Sequence, residues 1–377
     1  MRIVGGQVLQ DGALIEGDLA VDEDSGLIAA DGHGRVIDAR GLHVLPGIVD
    51  IHGDAFERQI MPRPGVGFPI DVALKDSDRQ CIGNGITTVF HGVTCSWEPG
   101  LRGIDNARTI LETIEANQAS FAADTRFHLR HETYNLEAEQ EVTRWVADGR
   151  VGMLAFNDHL PGPDTPPRAR KVVQMAERAG LSENELNNLV TRLQGLANEV
   201  PGAIARLAAA ADKAGTPTLS HDDMSPEQRR WFRDLNCRVA EFPTTVETAQ
   251  DAVDAGDDIV LGAPNVVRGG SHIGWIGAAE MIAQGRCTIL ASDYYYPAPL
   301  LAAYRLAADG IVTLPQAWTY VSERPARAAR LADRGVLEQG RRADIVLVDA
   351  TDSRRPQVVA AICAGQLAYV AAPNRLQ

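Results

Sequence analysis

Short apolar segments recur through the middle of the chain, and segments with helical periodicity separate most of them. Each apolar segment is seven to ten residues long, which is typical of a buried strand. Eight such segments over roughly 250 residues are the number expected of a (β/α)8 barrel. The eight segments are residues 43–52, 85–92, 126–132, 151–159, 216–223, 237–245, 258–265 and 287–293.

An open, doubly wound sheet is the alternative arrangement for such a pattern. It is disfavoured because no glycine-rich phosphate-binding loop follows the first apolar segment. A longer insertion separates the fourth segment from the fifth. Within it, Ser182 and Glu185 have the spacing of a capping box, which predicts the start of a helix.

Both ends of the chain have a different pattern, in which short β-prone pieces are interrupted by glycine and aspartate. Two β-rich ends around a different middle predict one small sheet domain that is built from both termini. The predicted organisation is a discontinuous domain of residues 1–46 and 335–377, with a barrel domain of residues 47–334 between its two parts.

Polar residues gather at the carboxyl ends of the predicted strands. In a barrel these ends converge on one face, where active sites are built. A divalent ion needs several nitrogen and oxygen ligands held by different segments, so the pattern predicts a metal site. Each residue alone could cap a helix or bond a loop, and the acids after His221 could simply be solvated. The set is His52, Asp54, His91, Glu132, His159, His221, Glu241 and Asp293.

Composition and charge narrow the function classes. The chain has 377 residues and a formal net charge of −14, which argues against nucleic acid as a partner but leaves room for a small phosphorylated substrate. Five scattered cysteines form no CxxC pair, so neither a thiolate zinc site nor a disulfide framework is expected. No apolar run reaches the roughly 18 residues of a membrane span. No secretion signal is apparent, and we expect a cytoplasmic protein.

The order of these motifs resembles that of the amidohydrolase superfamily. Its members are metal-dependent hydrolases, and the resemblance implies a (β/α)8 TIM-like barrel with a small β-sandwich domain formed by both chain termini. The usual first motif of the superfamily is His-x-His, so Asp54 is a departure from it. The first and last motifs here are "PGIVDIHGD" and "SD".

That departure points to one branch, because the chain resembles the PhnM family over essentially its whole length. Members of this family are alpha-D-ribose 1-methylphosphonate 5-triphosphate diphosphatases of phosphonate metabolism. The motifs that carry the resemblance are "DIHGDAFERQIMPRPGV", "GITTVFHG", "FHLRHE", "DHLPG", "SHDD", "AEFPTT", "GAPNVVRGGSH" and "SDYYYPAPLLAAYRLA".

The resemblance implies a binuclear centre with two divalent metal ions. Asp293 would also act as the catalytic base. Zn²⁺ is the first expectation, with Mn²⁺ and Fe²⁺ as alternatives, because a set of histidines and carboxylates accommodates all three. The implied ligands are His52, Asp54 and Asp293 for the first ion, His159 and His221 for the second, and Glu132 as the bridge.

A polyphosphate substrate also needs positive charge, and the planar guanidinium of arginine suits phosphate oxygens. The two-residue period of a strand places Arg130 on the same side as Glu132. The residues proposed for substrate binding are Arg58, Arg63, His91, Arg130, Arg268, Ser271 and His272.

Three functions remain open. The first is hydrolysis of a phosphoric anhydride with release of pyrophosphate, and the second is cleavage of a C–N bond in an N-acyl amino acid or cyclic amide. The third is a non-catalytic barrel, which the complete set of ligands argues against. Gly53, Ala55 and Trp275 depart from the family pattern at positions expected to face the substrate, so the specificity stays open. A homo-oligomer is compatible with the sequence.

Overall fold

The computed structural model of the protein describes residues 1–63, 65–162, 169–270 and 277–377. Two eight-stranded sheets organise this part of the chain. None of the helices described is both long enough and apolar enough to cross a membrane.

The strands of the first sheet come from both ends of the chain, and those of the second come from the middle. In the first sheet the strands are β1 (Arg2–Gln10), β2 (Ala13–Asp22), β3 (Leu27–Ala29), β4 (Val36–Asp38), β5 (His43–Pro46), β14 (Ile345–Asp349), β15 (Gln357–Cys363) and β16 (Gln366–Val370). In the second they are β6 (Ile48–Gly53), β7 (Ile86–Cys95), β8 (Asp124–Glu132), β9 (Met153–Asn157), β10 (Thr218–His221), β11 (Val239–Glu241), β12 (Asp258–Gly262) and β13 (Ile289–Ala291).

The terminal strands form a mixed sheet in the order β16-β15-β14-β5-β1-β2-β3, with β4 paired to β1. Strand β5 joins the two ends of the chain, because it lies parallel to β1 and antiparallel to β14. Ile3, Val44 and Ile345 are fully buried together in its core. The prediction of one sheet built from both termini is therefore confirmed.

The central strands form a parallel barrel in chain order from β6 to β13. A backbone bridge between Gly53 and Asp293 joins the first strand to the last. Each of the eight predicted apolar segments overlaps one of these strands, and the first also contains β5. The barrel prediction is confirmed, and the open-sheet alternative is wrong because the two edges of the sheet meet.

Helices cover the outside of the barrel and connect its strands. The predicted capping box is present at the start of α6, where Ser182 Oγ accepts from the backbone N–H of Glu185 and Glu185 Oε2 accepts from that of Ser182. The helices are α1 (Glu57–Ile60), α2 (Ile70–Gly83), α3 (Ile104–Asn117), α4 (Glu139–Ala147), α5 (Ala169–Ala179), α6 (Glu183–Gln194), α7 (Val200–Ala214), α8 (Pro226–Asp234), α9 (Val246–Asp254), α10 (Ala263–Arg268), α11 (Ala278–Ala283), α12 (Ala298–Ala308), α13 (Leu314–Thr319) and α14 (Glu323–Ala328).

Alternation along β8 separates the helix-facing side of the barrel from its interior. Phe127 and Leu129 pack outward in the hydrophobic cluster that includes α3 and α4. His128, Arg130 and Glu132 therefore face inward, since successive side chains of a strand point to opposite faces. This alternation brings an arginine and a glutamate to the mouth of the barrel.

An ionic cluster connects the amino end of the barrel to the terminal sheet. Asp124, the first residue of β8, accepts hydrogen bonds from Arg334 at 2.6 Å and from Arg342 at 3.1 Å. Arg334 is almost fully buried, and it also donates to Thr88 on β7. Buried charges need such partners, so the cluster fixes the position of the sheet relative to the barrel.

Candidate metal centre

Three of the predicted ligands meet where the barrel closes. His52 lies near the end of β6 and Asp54 follows that strand, while Asp293 follows β13. One ligand atom from each lies within 4.8 Å of the others. The backbone N–H of Asp293 donates to His52 O at 2.9 Å, and that of Asp54 donates to Asp293 O at 3.0 Å. Closure of the barrel itself therefore assembles the group predicted for the first ion.

The carboxyl group of Asp293 has an unusual environment. Its burial and the nearby charge of Asp54 raise the pKa of Asp293 to about 6. The backbone of Asp293 has a left-handed φ of 55°. Few residues other than glycine adopt this conformation, and such strain concentrates at functional sites. Asp222 and Phe242, which directly follow β10 and β11, have the same left-handed conformation, with φ values of 58° and 54°.

A second group contains His159, His221 and Asp222, and His52, His221 and Glu241 also lie within the same distance of one another. The Nε2 atom of His159 lies 3.6 Å from Asp222 Oδ2, and that of His221 lies 3.7 Å from Asp222 Oδ1. Two ligands of one tetrahedral zinc ion lie about 3.3 Å apart when each bond is about 2.0–2.1 Å long. These separations are close to those of atoms that share an ion and too long for strong hydrogen bonds.

Glu132 uses both of its carboxylate oxygens on His159. Oε1 accepts from Nδ1 at 2.6 Å, and Oε2 accepts from the backbone N–H at 3.0 Å. Burial opposes charge on both side chains, but each stabilises the charge of the other. The pKa of Glu132 is lowered to about 2, and that of His159 is raised to about 9. The bridging role of Glu132 stays a prediction, since the structure places this carboxylate behind His159.

Glu241 at the end of β11 contacts a histidine from each group. Its Oε1 accepts from His52 Nδ1 and its Oε2 from His221 Nδ1, both at 2.7 Å. The side chain of Glu241 is fully buried. Burial alone would raise its pKa, but the two histidines hold the pKa well below its ordinary value. An ionised carboxylate has no proton to donate, so both histidines donate from Nδ1.

This donor set fits a divalent metal ion. His52, His159 and His221 each donate Nδ1–H to a carboxylate, so Nε2 of each ring, once deprotonated, is the atom that could bind an ion. Histidines that bind metals are typically held in this way, with the second ring nitrogen bonded to a carboxylate or carbonyl. Carboxylates of aspartate complete both groups, as the sequence predicted for Asp54 and Asp293.

A cleft of about 190 Å³ lies over these groups. Arg130 is the one positively charged residue among its described lining residues apart from the histidines, and it donates to Asp54 Oδ2 at 3.1 Å. The lining of the cleft also includes six apolar residues, which are Phe242, Pro243, Val246, Leu261, Ala278 and Met281.

The other predicted substrate-binding residues have varied positions. Arg58 and Arg268 are exposed and both contact Tyr294, the residue after Asp293: Arg58 donates to its carbonyl oxygen and Arg268 to its hydroxyl. Arg63 is also exposed. Their contact with substrate stays a prediction. The remaining two residues proposed for substrate binding, Ser271 and His272, lie outside the described residues, and so does Trp275.

His91 does not line the cleft. It is fully buried, and its ring lies 5.1 Å from that of Phe56 and 6.4 Å from that of Tyr296. Its neighbour Phe90 packs inside the barrel, so His91 faces outward by alternation along β7. Its assignment to substrate binding stays a prediction that this position does not favour.

Gly53 and Ala55 also face away from the cleft. A Cβ atom at Gly53 would lie 2.8 Å from Asp50 Oδ2 and 3.2 Å from Ser292 Oγ, and neither residue lines the cleft. Ala55 is buried in the hydrophobic core. The small size of these residues therefore reflects packing behind β6.

Asp222 is a candidate ligand that the sequence pattern did not single out. The signal was present, because Asp222 directly follows His221 at the carboxyl end of β10 in the run "SHDD". The second acid of that run has another role: Asp223 is fully buried and accepts from Arg229 at 3.0 Å. Neighbouring acids with different partners cannot be told apart without the geometry.

Comparisons with known proteins bear on the family and the fold of the chain. No family model matches the chain. An alpha-D-ribose 1-methylphosphonate 5-triphosphate diphosphatase of Escherichia coli (strain K12) is 32% identical to it over 358 residues, covering 92% of this chain and 94% of that protein. A prolidase complexed with N-methylphosphonate-L-proline has a TM-score of 0.64 at 15% identity, over 97% of this chain and 98% of the other. A dihydropyrimidinase from Brevibacillus agri NCHU1002 has a TM-score of 0.57 at 14% identity, over 97% and 94%. These two likenesses support the fold.

Proposed function

We propose that this chain hydrolyses a phosphoric anhydride bond, because it belongs to the alpha-D-ribose 1-methylphosphonate 5-triphosphate diphosphatase family of metal-dependent amidohydrolases. Water would break the bond between the α- and β-phosphoryl groups of a sugar 5-triphosphate. The products would be pyrophosphate and the sugar 5-phosphate, within phosphonate catabolism. The observation that carries this proposal is the 32% identity to the diphosphatase along nearly the full length of both chains.

The ligand groups are proposed to hold two divalent ions, with Zn²⁺ as the first expectation. When bound, such ions supply Lewis acidity, which lowers the pKa of a water molecule and polarises a phosphoryl oxygen. Asp293 would take the proton of the attacking water, because a pKa of about 6 lies near neutral pH. Arg130 would oppose the charge of the polyphosphate from the cleft wall.

Cleavage of a C–N bond is the second candidate, and the lining of the cleft favours it. This lining includes Phe242, Leu261 and Met281, and its one described arginine, Arg130, is already paired with Asp54. A pocket with apolar lining residues suits a cyclic amide or an N-acyl amino acid, and Arg130 could bind the single carboxylate of the amino acid. The same proton transfer by Asp293 would serve this reaction.

A hydrolysis screen separates the two reactions. The protein, reconstituted with Zn²⁺ or Mn²⁺, would be incubated with sugar and nucleoside triphosphates and, in parallel, with N-acyl amino acids and cyclic amides. Pyrophosphate release from a triphosphate supports the proposed function, and EDTA treatment should abolish it. Cleavage of an amide with no pyrophosphate from any triphosphate would replace it with the second candidate.

A further inference from the structure

We infer that Glu241 is a positioning residue shared by the two ligand groups, whose carboxylate sets the tautomer of His52 and His221 at once. The inference deepens the proposed metal-dependent function and rests on it. Glu241 would not bind an ion itself. It would make both histidines competent to do so, and it would couple the two ion sites through a single side chain.

The contacts show that Glu241 bonds the histidines directly. Each of its oxygens lies 2.7 Å from an Nδ1 atom. Two ligands of one tetrahedral ion lie about 3.3 Å apart, so an ion between these atoms would need a wider gap. By contrast, the Nε2 atoms of His159 and His221 lie 3.6 and 3.7 Å from Asp222. The two kinds of contact distinguish a hydrogen-bonding carboxylate from a ligating one.

The strand arrangement explains how one side chain reaches both groups. Glu241 pairs with His221 in the register of β10 and β11, so the two side chains are neighbours. His52 comes from β6 on another side of the barrel, and Glu241 spans the interior to meet it. The first ion site would therefore depend on a carboxylate that is anchored beside the second.

Packing holds the two imidazole rings in one orientation. The rings of His52 and His221 are stacked, with 5.7 Å between centroids and 19° between planes. Phe242 lies edge-on to both, at 5.0 and 5.2 Å. Because the rings are nearly parallel and share one carboxylate at Nδ1, neither ring can turn without breaking its contact with Glu241.

Glu241→Gln provides a specific test of this arrangement. A glutamine side chain has one oxygen and one NH₂ group, so it can accept from only one Nδ1–H. The other histidine would have to shift its proton to Nε2 and would lose the lone pair needed for an ion. We expect the variant to bind zinc about 10–100-fold more weakly and to retain less than two ions per chain.

The readouts are zinc content, chelator competition and two-bond ¹H–¹⁵N NMR of ¹⁵N-histidine-labelled protein, both free of metal and loaded with zinc. Wild-type protein should show His52 and His221 with the proton on Nδ1 in both forms. In Glu241→Gln one of the two should show the proton on Nε2. The tautomer measurement on the wild-type protein tests the inference even where the variant does not fold.

Asp257→Asn is the matched control, because Asp257 is another buried carboxylate and accepts a hydrogen bond from Arg233 at 2.7 Å. It precedes β12, so it lies at the opposite end of the barrel. It should lose stability but keep both zinc ions and both histidine tautomers. Unchanged zinc affinity and tautomers in Glu241→Gln, or coordination through Nδ1 in zinc-loaded wild-type protein, would overturn the inference. Failure of wild-type protein to bind any divalent ion would instead overturn the proposed function.

Discussion

The guanidinium of Arg130 donates a hydrogen bond from Nη1 to Oδ2 of Asp54, with 3.1 Å between the two atoms. Arg130 projects from β8 into the cleft, whereas Asp54 follows β6, so the pair spans two strands of the barrel mouth. The arginine thus lies between a predicted metal ligand and the space for the substrate. A phosphate oxygen would reach the same guanidinium from the open side.

Arg130→Gln is therefore expected to weaken binding of a polyphosphate substrate. A hydrogen bond to a charged group contributes about 1.5–3 kcal/mol, so we expect KM for a triphosphate to rise about 10-fold or more. Arg130→Lys keeps the charge without the planar fork and should give a smaller rise. Steady-state kinetics of both variants is the measurement. An unchanged KM in Arg130→Gln would show that Arg130 serves Asp54 and not the substrate.

Asp293→Asn is expected to lower kcat by several orders of magnitude and leave the fold intact. An asparagine at this position cannot accept the proton of the attacking water, and general base catalysis contributes about 10²–10⁴-fold. Circular dichroism and turnover of the variant test this together. Asp76→Asn, on the exposed face of α2, is the control and should behave as the wild type. Near-normal turnover of Asp293→Asn would contradict the role of this residue as the base.

The sequence predicted the architecture well, because strand length and helical separators are local properties. It also brought His52, Asp54 and Asp293 together correctly, since the carboxyl ends of barrel strands converge. It could not separate the carboxylates that contact Nδ1 atoms of histidines from the one that lies near Nε2 atoms. Glu132 and Glu241 both end strands, yet each contacts Nδ1 atoms, while Asp222 faces the free Nε2 atoms. That distinction depends on distances of about 1 Å across the barrel, which sequence patterns do not carry.

Alternation along β7 bears on the prediction that His91 contacts the substrate, and it does not favour that prediction. Phe90 packs inside the barrel, so the next residue, His91, must face the helices. Gly53, next to His52, also faces away from the cleft. Its position against Asp50 leaves no room for a side chain, which accounts for the departure from the family pattern without reference to substrate.

Gly53→Ala is expected to destabilise the protein by about 1–3 kcal/mol, because the new methyl group would overlap Asp50 Oδ2 at 2.8 Å and crowd Tyr296 at 3.2 Å. The strain would also displace His52 and Asp54, so zinc affinity should fall. Urea unfolding and zinc titration measure the two effects. Gly17→Ala in β2 is the control, since nothing lies within 4 Å of a Cβ atom there. Equal stability of the two variants would contradict the packing argument.

Asp124→Asn is expected to weaken the connection between the barrel and the terminal sheet. The substitution removes a carboxylate that Arg334 and Arg342 share, and it leaves the buried guanidinium of Arg334 poorly compensated. Removing one partner of a buried ion pair costs about 3–5 kcal/mol. We expect a loss near the lower limit, about 3 kcal/mol, because Asp333 still pairs with Arg334.

The pH dependence of this loss follows from the pKa of Asp124. Burial alone would raise that pKa, but the charges of Arg126 and Arg334 outweigh it and hold it below its ordinary value. A carboxyl group with a lowered pKa stabilises the fold above its unfolded pKa, about 3.9, and loses this contribution as the pH falls through the folded value. The difference in unfolding free energy between wild type and Asp124→Asn should therefore be constant from pH 7 to 5 and shrink below pH 4. Urea unfolding across this range measures the difference.

Asp105→Asn, in an exposed pair with Arg108, is the control and should change stability by less than about 0.5 kcal/mol at every pH. A difference that grew as the pH fell would show that Asp124 is not the ionised partner of these arginines.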